Sequence, residues 1–147
     1  NDPSYLVRME FRTRAFLDYL NPGAGVSFLK NNDFTLTNII GSLGIAERVS
    51  ILGEYAMSDK GDIRETRNVT LDLTCRIADP FLIFLRGERG TTKSFFTDYD
   101  VETHTNQGAV GTVLFLLPYI SIRPEYRIVD TERYRSTRYA VQLHIFR

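Results

Sequence analysis

Val7-Arg8-Met9-Glu10-Phe11-Arg12-Thr13-Arg14-Ala15-Phe16-Leu17-Asp18-Tyr19 is the stretch that decides between helix and strand. Val7, Met9, Phe11, Thr13, Ala15, Leu17 and Tyr19 share one parity, and Arg8, Glu10, Arg12 and Arg14 share the other. A period of two puts each set on its own face of a pleated strand. A helix would gather Leu6, Met9, Thr13, Phe16 and Leu20 and leave Val7 and Phe11 in water. The following Asn21-Pro22-Gly23 ends a helix or makes a turn equally well, so the stretch reads as a strand.

Working outward, the same alternation returns. Val49, Ile51, Gly53, Tyr55 and Met57 oppose Arg48, Ser50, Glu54 and Ala56, while Val69, Leu71, Leu73, Cys75 and Ile77 oppose Asn68, Thr70, Asp72, Thr74 and Arg76. Further along, Phe81, Ile83 and Leu85 oppose Leu82, Phe84, Arg86 and Glu88. Ile120, Ile122, Pro124, Tyr126 and Ile128 oppose Ser121, Arg123, Glu125 and Arg127, and Tyr139, Val141, Leu143 and Ile145 oppose Arg138, Ala140, Gln142 and His144. Segments 34–45 and 109–117 are apolar and β-compatible but alternate poorly. The pattern predicts an all-β, antiparallel, up-and-down barrel of eight strands near 5–19, 34–45, 48–57, 66–77, 81–90, 108–117, 119–129 and 135–146. Long links are expected at 20–33, 58–65, 91–107 and 130–134, with minimal turns between the other strands. No linker or long repeat interrupts the chain, so residues 1–147 read as one barrel domain.

Composition removes several classes. Eighteen basic and 18 acidic side chains give zero net charge, which argues against nucleic acid as the main partner. The single Cys75 excludes an internal disulfide framework and multi-cysteine metal sites. No apolar run is long enough for a spanning helix; the nearest, Val113 to Leu117, is cut by Pro118. The opening at Asn1 lacks a basic and then apolar leader, as expected of a non-secreted chain, a mature chain or a fragment. Fifteen of the 18 cations are arginine, the residue suited to enclosed, hydrogen-bonded charge.

The strand pattern resembles the small eight-stranded outer-membrane β-barrels of Gram-negative bacteria, which have tight turns at one end, longer loops at the other and strands of about ten residues. The last strand, with Tyr139, Val141, Leu143 and Ile145, is similar to the alternating terminal strand of such barrels. It departs from them at its end, where Phe146 falls on the opposite parity and Arg147 takes the terminal place. The resemblance implies a bacterial outer-membrane location, with the lipid bilayer and other envelope proteins as partners. It also implies a non-enzymatic, cofactor-free, porin-like role.

Parity alone does not say which face is inside. A soluble lipocalin-like barrel binding a fatty acid would turn the apolar parity inward, with Arg123, Arg127 or Arg138 holding the carboxylate. Three features favour the inverse: arginine–carboxylate pairs on the charged parity, Tyr19, Tyr55, Tyr119, Tyr134 and Tyr139 near strand ends, and the short-long alternation of links. A third reading makes the chain the C-terminal part of a larger anion-favouring porin.

With the charged parity inward, the lumen set is Arg8, Glu10, Arg12, Arg14, Arg48, Glu54, Asp72, Arg76, Arg86, Glu88, Arg123, Glu125, Arg127 and Arg138. Such a set serves an anion-favouring passage or an acidic ligand. The blander expectation, preferred here, is a network of ion pairs filling a narrow barrel. The loop from Thr91 to Asn106 is the expected binding element, through Phe95, Phe96, Asp98, Tyr99, Asp100 and Glu102, unless Phe95 and Phe96 simply cap the barrel mouth or extend its interfacial girdle, a reading weighed equally. Asp98, Asp100, Glu102 and His104 alternate along it but lack the features of a helix-loop-helix calcium site, so no metal is assigned. No catalytic residue is assigned: Ser136 is too far from His144, Ser121 or Ser50 would need a fortunate register, and His144 reads as a buried structural side chain. Cys75 reads as a small hydrophobe, and Gly108 and Gly111 as positions of close packing.

Overall fold

The computed structural model describes residues 4–13 and 19–146. Nine strands follow one another: β1 (Tyr5–Arg12), β2 (Leu20–Asn31), β3 (Phe34–Ile45), β4 (Val49–Lys60), β5 (Arg64–Ala78), β6 (Phe81–Phe95), β7 (Asp100–Leu117), β8 (Ile120–Thr131) and β9 (Arg135–Ile145). Each pairs antiparallel with its sequence neighbours, giving a single up-and-down sheet in the order β1 to β9. The all-β, up-and-down class expected from the sequence is therefore the one observed. Among the described residues β1 and β9 do not meet, so the sheet has two free edges.

The strand count corrects the expectation of eight. The predicted strand 5–19 ends at Arg12 in the described residues, and the predicted loop 20–33 is mostly the strand β2. Asn21-Pro22-Gly23 pairs with Gly44, Leu43 and Ser42 in that order, rather than turning. The glycine there answers a packing need: a Cβ on Gly23 would lie 2.5 Å from Ser42 Oγ. The predicted loop 91–107 also disappears, because β6 runs on to Phe95 and β7 starts at Asp100. Only residues 96–99 connect them.

Both ends of the sheet are thus tightly turned. Links 32–33, 61–63, 96–99 and 132–134 close one end, and 46–48, 79–80 and 118–119 close three hairpins at the other. Among the described links, the short-long alternation used above to favour a membrane barrel is not present. At 46–48, Arg48 N–H donates to Ile45 O at 3.0 Å, and Ala46 and Glu47 both have positive φ (48° and 55°). That is the backbone twist a two-residue hairpin requires.

Curvature is visible in what is enclosed. Among the described residues the buried ones are Gly111, Phe84 and Ala109 (the last two each 7% exposed) with the polar Ser121 (2%) and Glu125 (8%), and all five lie on the same side of the sheet. Phe84 of β6 reaches past β7 so that the Arg123 guanidinium of β8 lies 4.1 Å from its ring centre. The intervening position is Gly111, where a Cβ would sit 2.5 Å from both Phe84 Cζ and Pro124 O. Gly111→Val is therefore expected to destabilise the sheet by about 1–3 kcal/mol. Gly108→Val, with open space beyond its Cα, should change little. Denaturant midpoints of the two variants test the contrast. Of the two glycines expected at close packing, only Gly111 is so used.

Candidate functional site

The side of the sheet carrying Phe84 and Glu125 is concave, and the charged parity projects into it. Arg8, Glu10, Arg12, Glu54, Asp72, Arg86, Glu88, Arg123, Glu125, Arg127 and Arg138 are all on this face by register. Arg76 shares this parity near the exposed end of β5, where it pairs with Leu82, whereas Arg48 is in the turn 46–48, outside the strands. Arg14 lies outside the described residues.

The charges pair within the wall. At the β1 edge Glu10 serves both Arg8 and Arg12. Asn38 Nδ2 donates to Glu54 Oε1 at 2.8 Å across β3 and β4. Glu88 accepts from Asn68 Nδ2 at 2.9 Å and Gln107 Nε2 at 3.3 Å, one neighbour strand on each side. Directly opposite one another, Asp72 and Arg86 form a two-point bond, Nε to Oδ1 at 2.6 Å and Nη2 to Oδ2 at 2.9 Å. Glu125 accepts from Arg127 Nε at 2.8 Å and lies 3.5 Å from Arg123 Nη2.

The pairing is lateral along the wall rather than across the concave space. Every one of these bonds joins residues two apart on a strand or on adjacent strands. The concave space keeps a hollow of about 710 Å³ over β1 to β4 and another of about 310 Å³ bounded by Asp72, Phe84, Arg86 and Arg123.

The opposite, convex face is apolar. Val7, Met9, Phe11, Val26, Ile39, Val69, Leu71, Leu73, Leu85, Val110, Val141 and Leu143 all stand exposed on it. Tyr19 and Tyr119 mark one end of the sheet and Tyr134 the other, but Tyr55 and Tyr139 lie within strands, where Tyr139 packs on Tyr126 at 4.9 Å. Beyond the apolar band the convex side of β5 to β7 becomes charged. There Arg67 Nε donates to Glu65 Oε1 at 2.6 Å. Lys93 lies 3.4 Å from Asp100, and His104 lies 3.4 Å from Glu102.

The expected loop site is largely absorbed into this rim. Phe95 ends β6 and its N–H donates to Ile63 O at 3.0 Å. Asp100 and Glu102 belong to β7, while Phe96 and Tyr99 stack at 5.0 Å inside a four-residue turn that also holds Asp98. Among the described residues no cluster of metal-binding side chains forms. His144 is exposed rather than buried: it faces Ser121 across the ladder, yet its Nε2 lies 3.1 Å from Gln142 Oε1. Cys75 is a free, half-buried thiol on the convex parity.

Fold and face together define the class: an all-β, up-and-down wall with an apolar outer side and a charged inner one. No protein-family model matches the chain, and no curated protein matches it. A solved structure described as a KdgM porin in complex with disordered oligogalacturonate aligns over 98% of this chain and 98% of its own, at 13% identity and a TM-score of 0.29. So loose an overlap carries neither fold nor function across.

Proposed function

We propose that this chain is the wall of an outer-membrane β-barrel, with its convex face against lipid and its concave face lining a polar passage, and that it works without catalysis. The observation that carries this is the continuous exposed apolar band, far more apolar surface than a soluble protein leaves open to water. Eight of the nine strands have 11 or more residues, enough to cross a bilayer at a tilt.

The soluble fatty-acid carrier fits less well. Its apolar parity would face inward, and two of the arginines it needs for the carboxylate, Arg123 and Arg127, are already committed to Glu125. Extraction tests the choice: release from membranes only with detergent, and a gel mobility that changes on heating, support the membrane wall. A monodisperse protein in plain buffer with bound lipid would overturn it.

Passage is tested separately. Because charges pair within the wall, protein reconstituted with its barrel closed is expected to give a steady conductance in planar bilayers. A preference for anions is expected, since by register Arg8, Arg12, Arg64, Arg76, Arg86, Arg123, Arg127, Arg138 and Lys60 outnumber Glu10, Glu54, Asp72, Glu88 and Glu125 on the concave parity. A silent bilayer containing folded protein would mean that side chains do fill the space.

A further inference from the structure

We propose that β1 and β9, whose outer edges are unpaired among the described residues, dock an extended peptide segment of a partner, running antiparallel to both, with apolar residues on its convex parity and carboxylates on its concave one. The inference goes beyond the passage reading and holds in detergent solution whether or not the wall conducts.

Direction is the first argument. Eight successive antiparallel pairings leave β1 and β9 pointing the same way. The two edges can meet each other only as a parallel pair. A second copy that keeps the same orientation, pairing its β1 with this β9, is bound by the same restriction. One added strand of opposite direction satisfies both edges with the antiparallel ladder used everywhere else in the sheet, and strand addition at an exposed edge is a general recognition mode.

Charge is the second. On its concave parity β1 offers Arg8 and Arg12, which share the one carboxylate of Glu10. On β9, Arg138 sits directly opposite Arg127, a like charge whose own carboxylate partner is Glu125. Like charges face to face across a ladder are unfavourable. Among the described residues Arg138 has no acidic partner at all. Joining β9 to β1 of another copy would add Arg8 and Arg12 to this excess. An incoming strand bearing carboxylates relieves it at both edges. The convex parity of the edges, Val7, Met9 and Phe11 on β1 and Tyr139, Val141 and Leu143 on β9, sets the apolar half of the partner.

The test uses the 147-residue chain folded in detergent micelles and a fluorescein-labelled synthetic peptide of alternating valine and glutamate, about ten residues long to match a spanning strand. Saturable binding by anisotropy is expected, with new hydrogen-exchange protection confined to β1 and β9. The same peptide with lysine for glutamate should bind at least about tenfold more weakly, and Arg138→Glu should narrow or invert that preference. Equal binding of the two peptides, or no binding, overturns the proposal. So does protection of the edge amides without peptide: independent of protein concentration it means that the edges close on each other, and rising with concentration it means that a second copy covers them.

Discussion

Leu71→Arg is expected to weaken insertion of the folded chain into a bilayer by about 2–4 kcal/mol, the cost of a lipid-facing arginine near mid-membrane. Leu71 is 56% exposed on the convex face, between Gly53 and Gly87, so nothing beside it can pair with a guanidinium. Val141→Arg, on the 74% exposed Val141 of β9, should behave alike. The neighbouring Thr70→Arg makes the informative control. Thr70 points to the concave side, and its cross-strand neighbours are Glu54 and Glu88. An arginine there gains two carboxylates within reach and should insert as well as the parent. Folding yields into vesicles, followed by heat-modifiable mobility, measure all three. Equal tolerance of arginine at 70 and 71 would remove lipid from the convex face and return the soluble barrel to favour.

Glu125→Ala should cost the next largest amount. The carboxylate side chain is only 5% exposed and serves both Arg123 and Arg127. Removing one partner of a buried ion pair costs about 3–5 kcal/mol. The two arginines keep about a third of their surface in solvent, which lowers the expected loss to about 2 kcal/mol. Arg123 retains its place over the Phe84 ring in either case. Glu125→Gln, which keeps an acceptor without the charge, should lose less. Because the chain has no tryptophan, urea unfolding is best followed by circular dichroism. An unchanged midpoint for Glu125→Ala would make the triad a solvated decoration.

Where reading the sequence failed, the failure has a local cause. At 20–31 the residues Asn21, Pro22, Gly23 and Gly25 carry turn chemistry, and that outweighed a real alternation of Ala24, Val26 and Phe28 against Gly23, Gly25 and Ser27. The segment is a strand because β1 and β3 supply its ladder from both sides, and its glycines make room for Ser42 and the Met9 carbonyl. At 91–107 no apolar parity exists to be seen. Beyond the apolar band both faces of β6 and β7 are polar, and only backbone pairing, Thr91 with His104 and Lys93 with Glu102, reveals the strands.

The sequence by itself determined the class and the membership of each face: Arg8 with Glu10, Leu71 with Leu73, Arg123 with Glu125 and Arg127. Parity is a local property of a pleated backbone and needs no partner strand to define it. Tertiary structure alone decided which face became concave, that the described residues form nine strands whose outer two do not meet, and that Asp72 binds Arg86 while Arg138 is left opposite Arg127. Curvature, strand count and cross-strand pairing all depend on register between segments distant in sequence. A one-residue slip would preserve every strand's alternation and exchange every neighbour.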